Sequence, residues 1–340
     1  MKIAIVGAKG KDSMELNLQE AFTHAGHECK VFDIYDLHGV FHKKRIGSYA
    51  KTIDKIIRTY NDTYDSKSFI KLASLVNDFN PELVLCTYRI IHPIFVNHIK
   101  NKKRKVVHIN PDQLTTLGYQ QVFASDYDAW FVKDPYMQRF MVSNMKLNAY
   151  LYNEAFNKRE HAKPNMTKQD CESEINIDVM TYGTVYPYRE RMLKSVVDAG
   201  VDLKIFGVIP HRFYNHTLDA HFQNKFISGL DKTKLLYGSK IVFNQMHYAE
   251  IEGVNCRFFE VNGAGAFQLS DYRPVLNDLL PVDPELVSFR SIDDGIEKIK
   301  YYLNHPEERY QISEVIYNHF QNQYSYDNLV SYLIKISFSK

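Results

Sequence analysis

No stretch of this sequence approaches the roughly 18 apolar residues that a membrane span needs, and the opening Met1-Lys2-Ile3-Ala4-Ile5-Val6-Gly7 is too short for the apolar core of a signal peptide. The four cysteines, Cys29, Cys86, Cys171 and Cys256, stand far apart with no C-x-x-C. That spacing excludes a zinc knuckle or a disulfide framework and suits a reducing compartment. His24, His27, His38, His92, His98 and His247 form no H-x3-H or H-E-x-x-H pattern, so no metal site is expected. Neither sign of charge dominates: 42 basic and 40 acidic residues leave a net +2, which argues against wholesale nucleic-acid binding. No short-period repeat is present. A cytoplasmic protein is expected.

What is present is ordinary globular composition, 45% hydrophobic and 24% charged over 340 residues, about twice the usual domain size. Residues 1–170 carry 25 Lys+Arg against 18 Asp+Glu (+7), and residues 171–340 carry 17 against 22 (−5), so the charge changes sign near the midpoint. Short apolar runs alternate with helical periodicity: strand 3–6, a turn at Gly7-Ala8-Lys9-Gly10, a helix stopping at Gly26, then strands 28–34, 83–86, 106–109 and 129–132 with helices between them. This is β-α-β alternation, the pattern of a parallel sheet covered on both faces. Residues 153–176 are polar and lack sustained periodicity, which marks a linker. The alternation restarts with strand 177–182 and Gly183, helix 189–199, strand 203–206 and Gly207, strand 240–244, helix 255–264 and strand 266–269. The expected architecture is α/β, with two Rossmann-like domains whose parallel sheets face each other across a cleft. Their expected bounds are 1–152 and 177–320, with a helical segment at 321–340 packing back on the first domain.

The segment Glu252-Gly253-Val254-Asn255-Cys256-Arg257-Phe258-Phe259-Glu260 concentrates the chemistry. Asn255 suits an N-cap and Gly265 a helix stop, which fixes where the helix begins. Ligands of such sheets sit at the carboxyl ends of strands, where free helix N–H groups and the positive dipole end favour a phosphate. Arg257 in the first turn opposes that dipole by about 0.3–1 kcal/mol unless an anion is near. Glu260 could accept from paired ribose hydroxyls, and Glu252, in the loop before the helix, could reach a sugar beyond the phosphates. Against this, Arg257 and Glu260 at i,i+3 could be a plain surface pair and Glu252 a solvated loop residue.

Gly253-x-Asn255-x-Arg257-x-Phe259-Glu260, then Gly265-Ala266-Phe267-Gln268-Leu269-Ser270-Asp271-Tyr272-Arg273-Pro274, then Lys300-Tyr301-Tyr302-Leu303-Asn304-His305-Pro306-Glu307-Glu308-Arg309, resembles the C-terminal half of the spore-maturation CgeB-like glycosyltransferases, a GT-B group. Glu252 and Glu260 also resemble the Glu-x7-Glu signature of retaining GT-B enzymes. The resemblance implies a metal-independent, hexosyltransferase-like enzyme of polysaccharide or cell-envelope synthesis. It would move sugar from a nucleotide-sugar, UDP-linked, to a saccharide, lipid-linked or protein acceptor, with retention and without a cofactor. It assigns ribose binding to Glu260, sugar contact to Glu252, and phosphate contacts to Arg257 and the helix start at Gly253 and Asn255. Gly183 and Gly207 fall where the chain approaches the nucleotide. Arg189 or Arg191 would add phosphate charge, His247 would lie in the donor pocket, and Asp112 or His108 near the acceptor.

Other signals carry two readings each. Gly7 and Lys9 with Asp33 resemble a dinucleotide fingerprint without its G-x-G-x-x-G spacing, so a structural turn is favoured over a cofactor loop. A nucleotide-dependent oxidoreductase or epimerase using the first domain is the rival enzyme. If the transferase reading holds, Lys9 approaches phosphate or acceptor. A non-catalytic sugar-nucleotide-binding protein is the rival without turnover. Lys100-Asn101-Lys102-Lys103-Arg104-Lys105 reads as a solvated loop. His42-Lys43-Lys44-Arg45 with Lys51, Lys55 and Arg58 interleaves Ile46, Tyr49, Ile53, Ile56 and Ile57; ordinary packing is the favoured reading, and docking at the inner face of a membrane the alternative.

Overall fold

The computed structural model describes residues 1–35, 44–87, 90–100, 103–112, 121–207, 209 and 214–339, with backbone alone at 44–48 and 121. His38, His42, Lys43, Asn101 and Lys102 lie outside the described residues, as do the side chains of Lys44, Arg45 and Ile46. The chain separates into two compact units, Met1–Asn153 with Tyr326–Lys340, and Glu154–Ser325.

In chain order the first unit contains β1 (Lys2–Gly7), α1 (Met14–His24), β2 (Glu28–Asp33), α2 (Lys44–Tyr60), α3 (Asp62–Phe79), β3 (Leu83–Cys86), α4 (Pro93–Ile99), β4 (Lys105–Ile109), β5 (Ala129–Val132), α5 (Pro135–Ser143) and β6 (Ala149–Leu151). The strands form one parallel sheet in the order β2-β1-β3-β4-β5-β6. Its central strands are buried on both faces, which is why they read as unbroken apolar runs rather than alternating ones. The run at 100–105 is more than a solvated loop. Arg104 is buried and donates to the carbonyls of Pro81 (3.0 Å) and Ile99 (2.9 Å), fastening the end of α4 to the entry of β3.

The second unit contains α6 (Lys168–Ile175), β7 (Ile177–Tyr182), α7 (Pro187–Asp198), β8 (Leu203–Phe206), α8 (Gly229–Gly238), β9 (Ser239–Asn244), α9 (Cys256–Gly263), β10 (Gln268–Asp271), α10 (Leu276–Leu279), β11 (Ser288–Phe289), α11 (Ile292–Leu303) and α12 (Pro306–Gln323). Its strands are again parallel, in the order β11-β10-β9-β7-β8. The last helix, α13 (Tyr326–Phe338), returns to the first unit, where it packs against α1 and Tyr332 donates to the Leu151 carbonyl (2.9 Å).

Of residues 153–176, expected as a linker, all but Asn153 are instead built into the second unit. Phe156 is fully buried, and a Cβ on Gly263 of α9 would meet its ring at 2.2 Å. The segment reads as polar because its charges are used internally. Glu172 of α6 pairs with Arg309 of α12 at 2.7 Å, both buried, and accepts from Tyr310 (2.9 Å). Among the described residues no helix is long and apolar enough to cross a membrane.

Candidate functional site

In the second sheet β7 lies between β8 and β9, so the carboxyl ends of all three are neighbours. Gly183 (φ +100°) follows β7 and Gly207 (φ +150°) follows β8. Gly183 N–H donates to the Phe206 carbonyl (2.9 Å), and a Cβ on Gly207 would lie 2.2 Å from the Gly183 oxygen. Only glycine permits that approach, and it leaves bare backbone at the strand ends.

The start of α9 is held by a buried amide network. Asn255 caps the helix by accepting from Phe258 N–H (3.1 Å). Its own amide donates to Asn244 (3.0 Å) at the end of β9, and Asn244 in turn donates to Gln268 (2.8 Å) on β10. The helix N-terminus is therefore pinned to two strands rather than only capped, the cap itself contributing about 1 kcal/mol.

Arg257 points from the first turn of α9 across these ends. It is buried and donates to the carbonyls of Tyr182 (2.8 Å) and Gln245 (2.7 Å). Arg189, in the first turn of α7 and equally buried, donates to the Thr184 carbonyl (2.7 Å) and to the same Gln245 oxygen (3.1 Å). Two guanidinium groups thus meet on one carbonyl, each beside the positive end of its own helix. Among the described residues neither makes an ion pair. Burial and the charge of Arg257 lower the Arg189 pKa to about 10. Such an arrangement is electrostatically unfinished: an anion here would relieve the repulsion and satisfy the dipoles. Arg191 is exposed on the same helix.

Glu260 lies one turn beyond Arg257. Tyr182 joins the two, its carbonyl accepting from Arg257 and its hydroxyl donating to Glu260 (2.8 Å). The other Glu260 oxygen is 3.2 Å from Nζ of Lys232, a buried lysine of α8. Burial and the Glu260 charge push the Tyr182 hydroxyl pKa well up, so it stays a donor. Glu252 is half-buried and Gly253 buried in the loop leading to α9. His247 sits in the same loop among the rings of Tyr186, Tyr188 and Tyr248, at centroid distances of 5.9, 5.6 and 4.3 Å. Its Nδ1 accepts from Ala249 N–H (3.1 Å), which leaves the proton on Nε2 in the neutral ring. Asp271, at the end of β10, accepts from Met246 N–H (2.7 Å), with its pKa raised by burial.

The first unit treats the equivalent corner differently. Gly7 ends β1, and a Cβ there would lie 2.1 Å from the Thr87 hydroxyl and 2.4 Å from Glu15. Glu15, in the first turn of α1, is buried, accepts from Thr87 (2.7 Å) and takes the Ala8 amide (3.3 Å). A carboxylate therefore occupies the place where a dinucleotide would put its diphosphate, which counts against the oxidoreductase reading. Lys9 is exposed in the loop beyond. Asp112 is exposed just past β4. His108 requires correction as an acceptor-side residue: it is 0% exposed on β4, packed against Tyr127 (5.2 Å) and Trp130 (5.5 Å), and has no surface to offer a substrate.

Comparison of the whole chain with solved structures decides the architecture. Anabaena HepE, solved in complex with UDP and glucose, superposes with a TM-score of 0.69 over 100% of both chains at 11% identity. A sucrose-phosphate synthase from Thermosynechococcus elongatus gives 0.67 over 98% of both chains at 11% identity. A glycosyltransferase from Rickettsia africae gives 0.65 over 99% of this chain and 97% of the other at 12% identity. The fold is that of the GT-B glycosyltransferases. Residues 189–335 also match the family model described as glycosyl transferase-like, a span that contains Arg189, Arg257 and Glu260. No curated relative matches the sequence.

Within this GT-B chain, sequence reasoning missed Tyr182, Lys232 and Gln245. Gln245 acts through its carbonyl, which residue type cannot reveal. Lys232 stands in Asp231-Lys232-Thr233-Lys234, where one buried lysine looks like its half-buried neighbour. Among the described residues no group of three or more His, Cys, Asp or Glu is placed to hold a metal ion.

Proposed function

We propose that the chain is a hexosyltransferase-like glycosyltransferase that takes a UDP-linked sugar and transfers it to a glycan, glycolipid or glycoprotein acceptor, in cytoplasmic synthesis of a polysaccharide or cell-envelope product. The observation that carries this reading is the pair Arg189 and Arg257 on the Gln245 carbonyl, cationic groups at two helix starts that make no ion pair among the described residues. A nucleoside diphosphate has the charge and the span to complete it. The titles of similar structures support the class of partner: HepE was solved with UDP-glucose, and WaaB is a lipopolysaccharide outer core galactosyltransferase.

In this reading the diphosphate lies against Arg189, Arg257 and the N–H groups opening α9, with bare backbone at Gly183 and Gly207 allowing close approach. Glu260, oriented by Tyr182 and Lys232, accepts from the ribose hydroxyls, and His247 with its tyrosines borders the donor. As the bond from the anomeric carbon to the phosphate oxygen breaks, negative charge grows on the leaving group while the sugar becomes oxocarbenium-like. Fixed guanidinium groups stabilise that charge more in the transition state than in the ground state, which lowers the barrier without calling on a metal. Glu252 orients the sugar, Asp112 and Lys9 serve the acceptor side, and the Glu252 to Glu260 spacing favours retention.

The test is a thermal-unfolding panel of UDP-, GDP-, CMP- and dTDP-sugars against NAD, followed by UDP release with and without EDTA. A UDP-sugar at a hundred times its Kd adds about 2.7 kcal/mol of stability. Stabilisation by NAD alone would overturn the reading, and turnover abolished by EDTA would overturn its metal-independent part.

A further inference from the structure

The Gln245–Met246 peptide is held from both sides. Its carbonyl accepts from Arg189 (3.1 Å) and Arg257 (2.7 Å), and its N–H donates to the Asp271 carboxylate (2.7 Å). Sheet register brings the parts together. Ser270 of β10 pairs with Asn244 of β9, so the residues that follow, Asp271 and Gln245, are neighbours where the two strands end. The backbone of Asp271 is fixed in turn by β11: it pairs with Phe289, and the Tyr272 N–H donates to the Phe289 carbonyl (2.9 Å). A carboxylate that accepts the N–H of a peptide polarises it and strengthens the hydrogen bonds accepted by its carbonyl. It also decides which way the peptide faces. Were this one to turn over, two guanidinium groups, which have donors only, would meet an N–H they cannot use. Burial raises the Asp271 pKa, while the Met246 N–H, Arg273 and Arg189 oppose that shift, so the carboxylate already lies in the field of the arginines. The same loop has a second, separate tie, from Arg273 to the Glu250 carbonyl (2.9 Å).

We infer that Asp271 is a positioning residue of the anion site, holding Arg189 and Arg257 in place through the Gln245–Met246 peptide. This rests on the proposed donor reading, so UDP is the probe and calorimetry on the full chain the measurement. Asp271→Ala should weaken UDP binding about tenfold, the factor set by one hydrogen bond to a charged group. Asp271→Asn, whose amide oxygen still accepts from the Met246 N–H, should restore the Kd to within about threefold of wild type. Arg273→Met releases the loop at Glu250 only and should change the Kd by less than about twofold. Unfolding midpoints measured alongside separate lost positioning from lost fold. Should Asp271→Ala fail to fold, Asp271→Leu, close in size and without an acceptor, takes its place. Equal UDP binding by wild type and Asp271→Ala would overturn the inference alone, as would Asp271→Asn binding no better than Asp271→Ala. Arg273→Met matching the loss would also overturn it, because general order of the loop would then be the cause. Wild type that does not bind UDP would overturn the donor reading, and the inference with it.

Discussion

The corners at Gly7 and Gly183 occupy the same place in their sheets, each following the first strand of its unit, yet they are charged oppositely. At Gly7 the helix start is closed by Glu15, which takes the Ala8 amide and the Thr87 hydroxyl. At Gly183 the nearby helix starts carry Arg189 and Arg257, which share a carbonyl and pair with no carboxylate among the described residues. One corner supplies its own anion, and the other holds positive charge ready for a guest. A glycine turn after a strand is therefore no evidence of a phosphate site. The charge left over after internal pairing is.

The strongest way to break this contrast is Arg257→Ala. Donor-dependent UDP release should fall about a hundredfold or more, as when a preorganised donor is removed from a developing oxyanion, and UDP should no longer raise the unfolding midpoint. Glu15→Gln should change neither; an equal effect of the two would erase the distinction. Next in size are Gly207→Ala and Gly7→Ala, whose Cβ atoms would collide at 2.2 and 2.1 Å. Each should cost about 1–3 kcal/mol of stability in denaturant titration, but only Gly207→Ala should also weaken UDP binding. Glu260→Gln should weaken UDP binding about tenfold, the worth of a charge-assisted hydrogen bond, with calorimetry as the measurement.

The smallest effect concerns Lys168, at the opposite end of β9, where its Nζ donates to the Tyr237 and Ser239 carbonyls. Burial lowers its pKa from 10.5 to about 8. Between those values the unfolded chain binds more protons, so the Lys168 contribution makes stability rise with pH across this window. The stability of the wild type relative to Lys168→Met should therefore increase between pH 8 and 10.5 in unfolding titrations. A gap that stays constant would show that Lys168 is not titrating there.

Much of the architecture was legible because buried parallel strands leave continuous apolar runs, and Ile3 to Val6 or Leu83 to Cys86 can be little else. The helix start at Asn255 was legible for the same local reason, a good cap before an apolar-periodic segment. The segment at 153–176 misled because it is polar and lacks sustained periodicity, whereas Glu172 and Arg309, 137 residues apart, neutralise each other in the interior. His108 misled in the opposite sense: it follows two valines in an apolar strand, and the side chain shares their burial.

Local chemistry by itself determined the strands, the glycine turns, the capped helix and the presence of Arg257 and Glu260 one turn apart, because periodicity and capping act over a few residues. Only the tertiary structure decided which charges remain unpaired. It brought Arg189 to Arg257 through a shared carbonyl, tied Glu260 to Tyr182 and Lys232, and hid His108. Pairing depends on distances through space between residues far apart in the chain, and spacing along the sequence does not encode them.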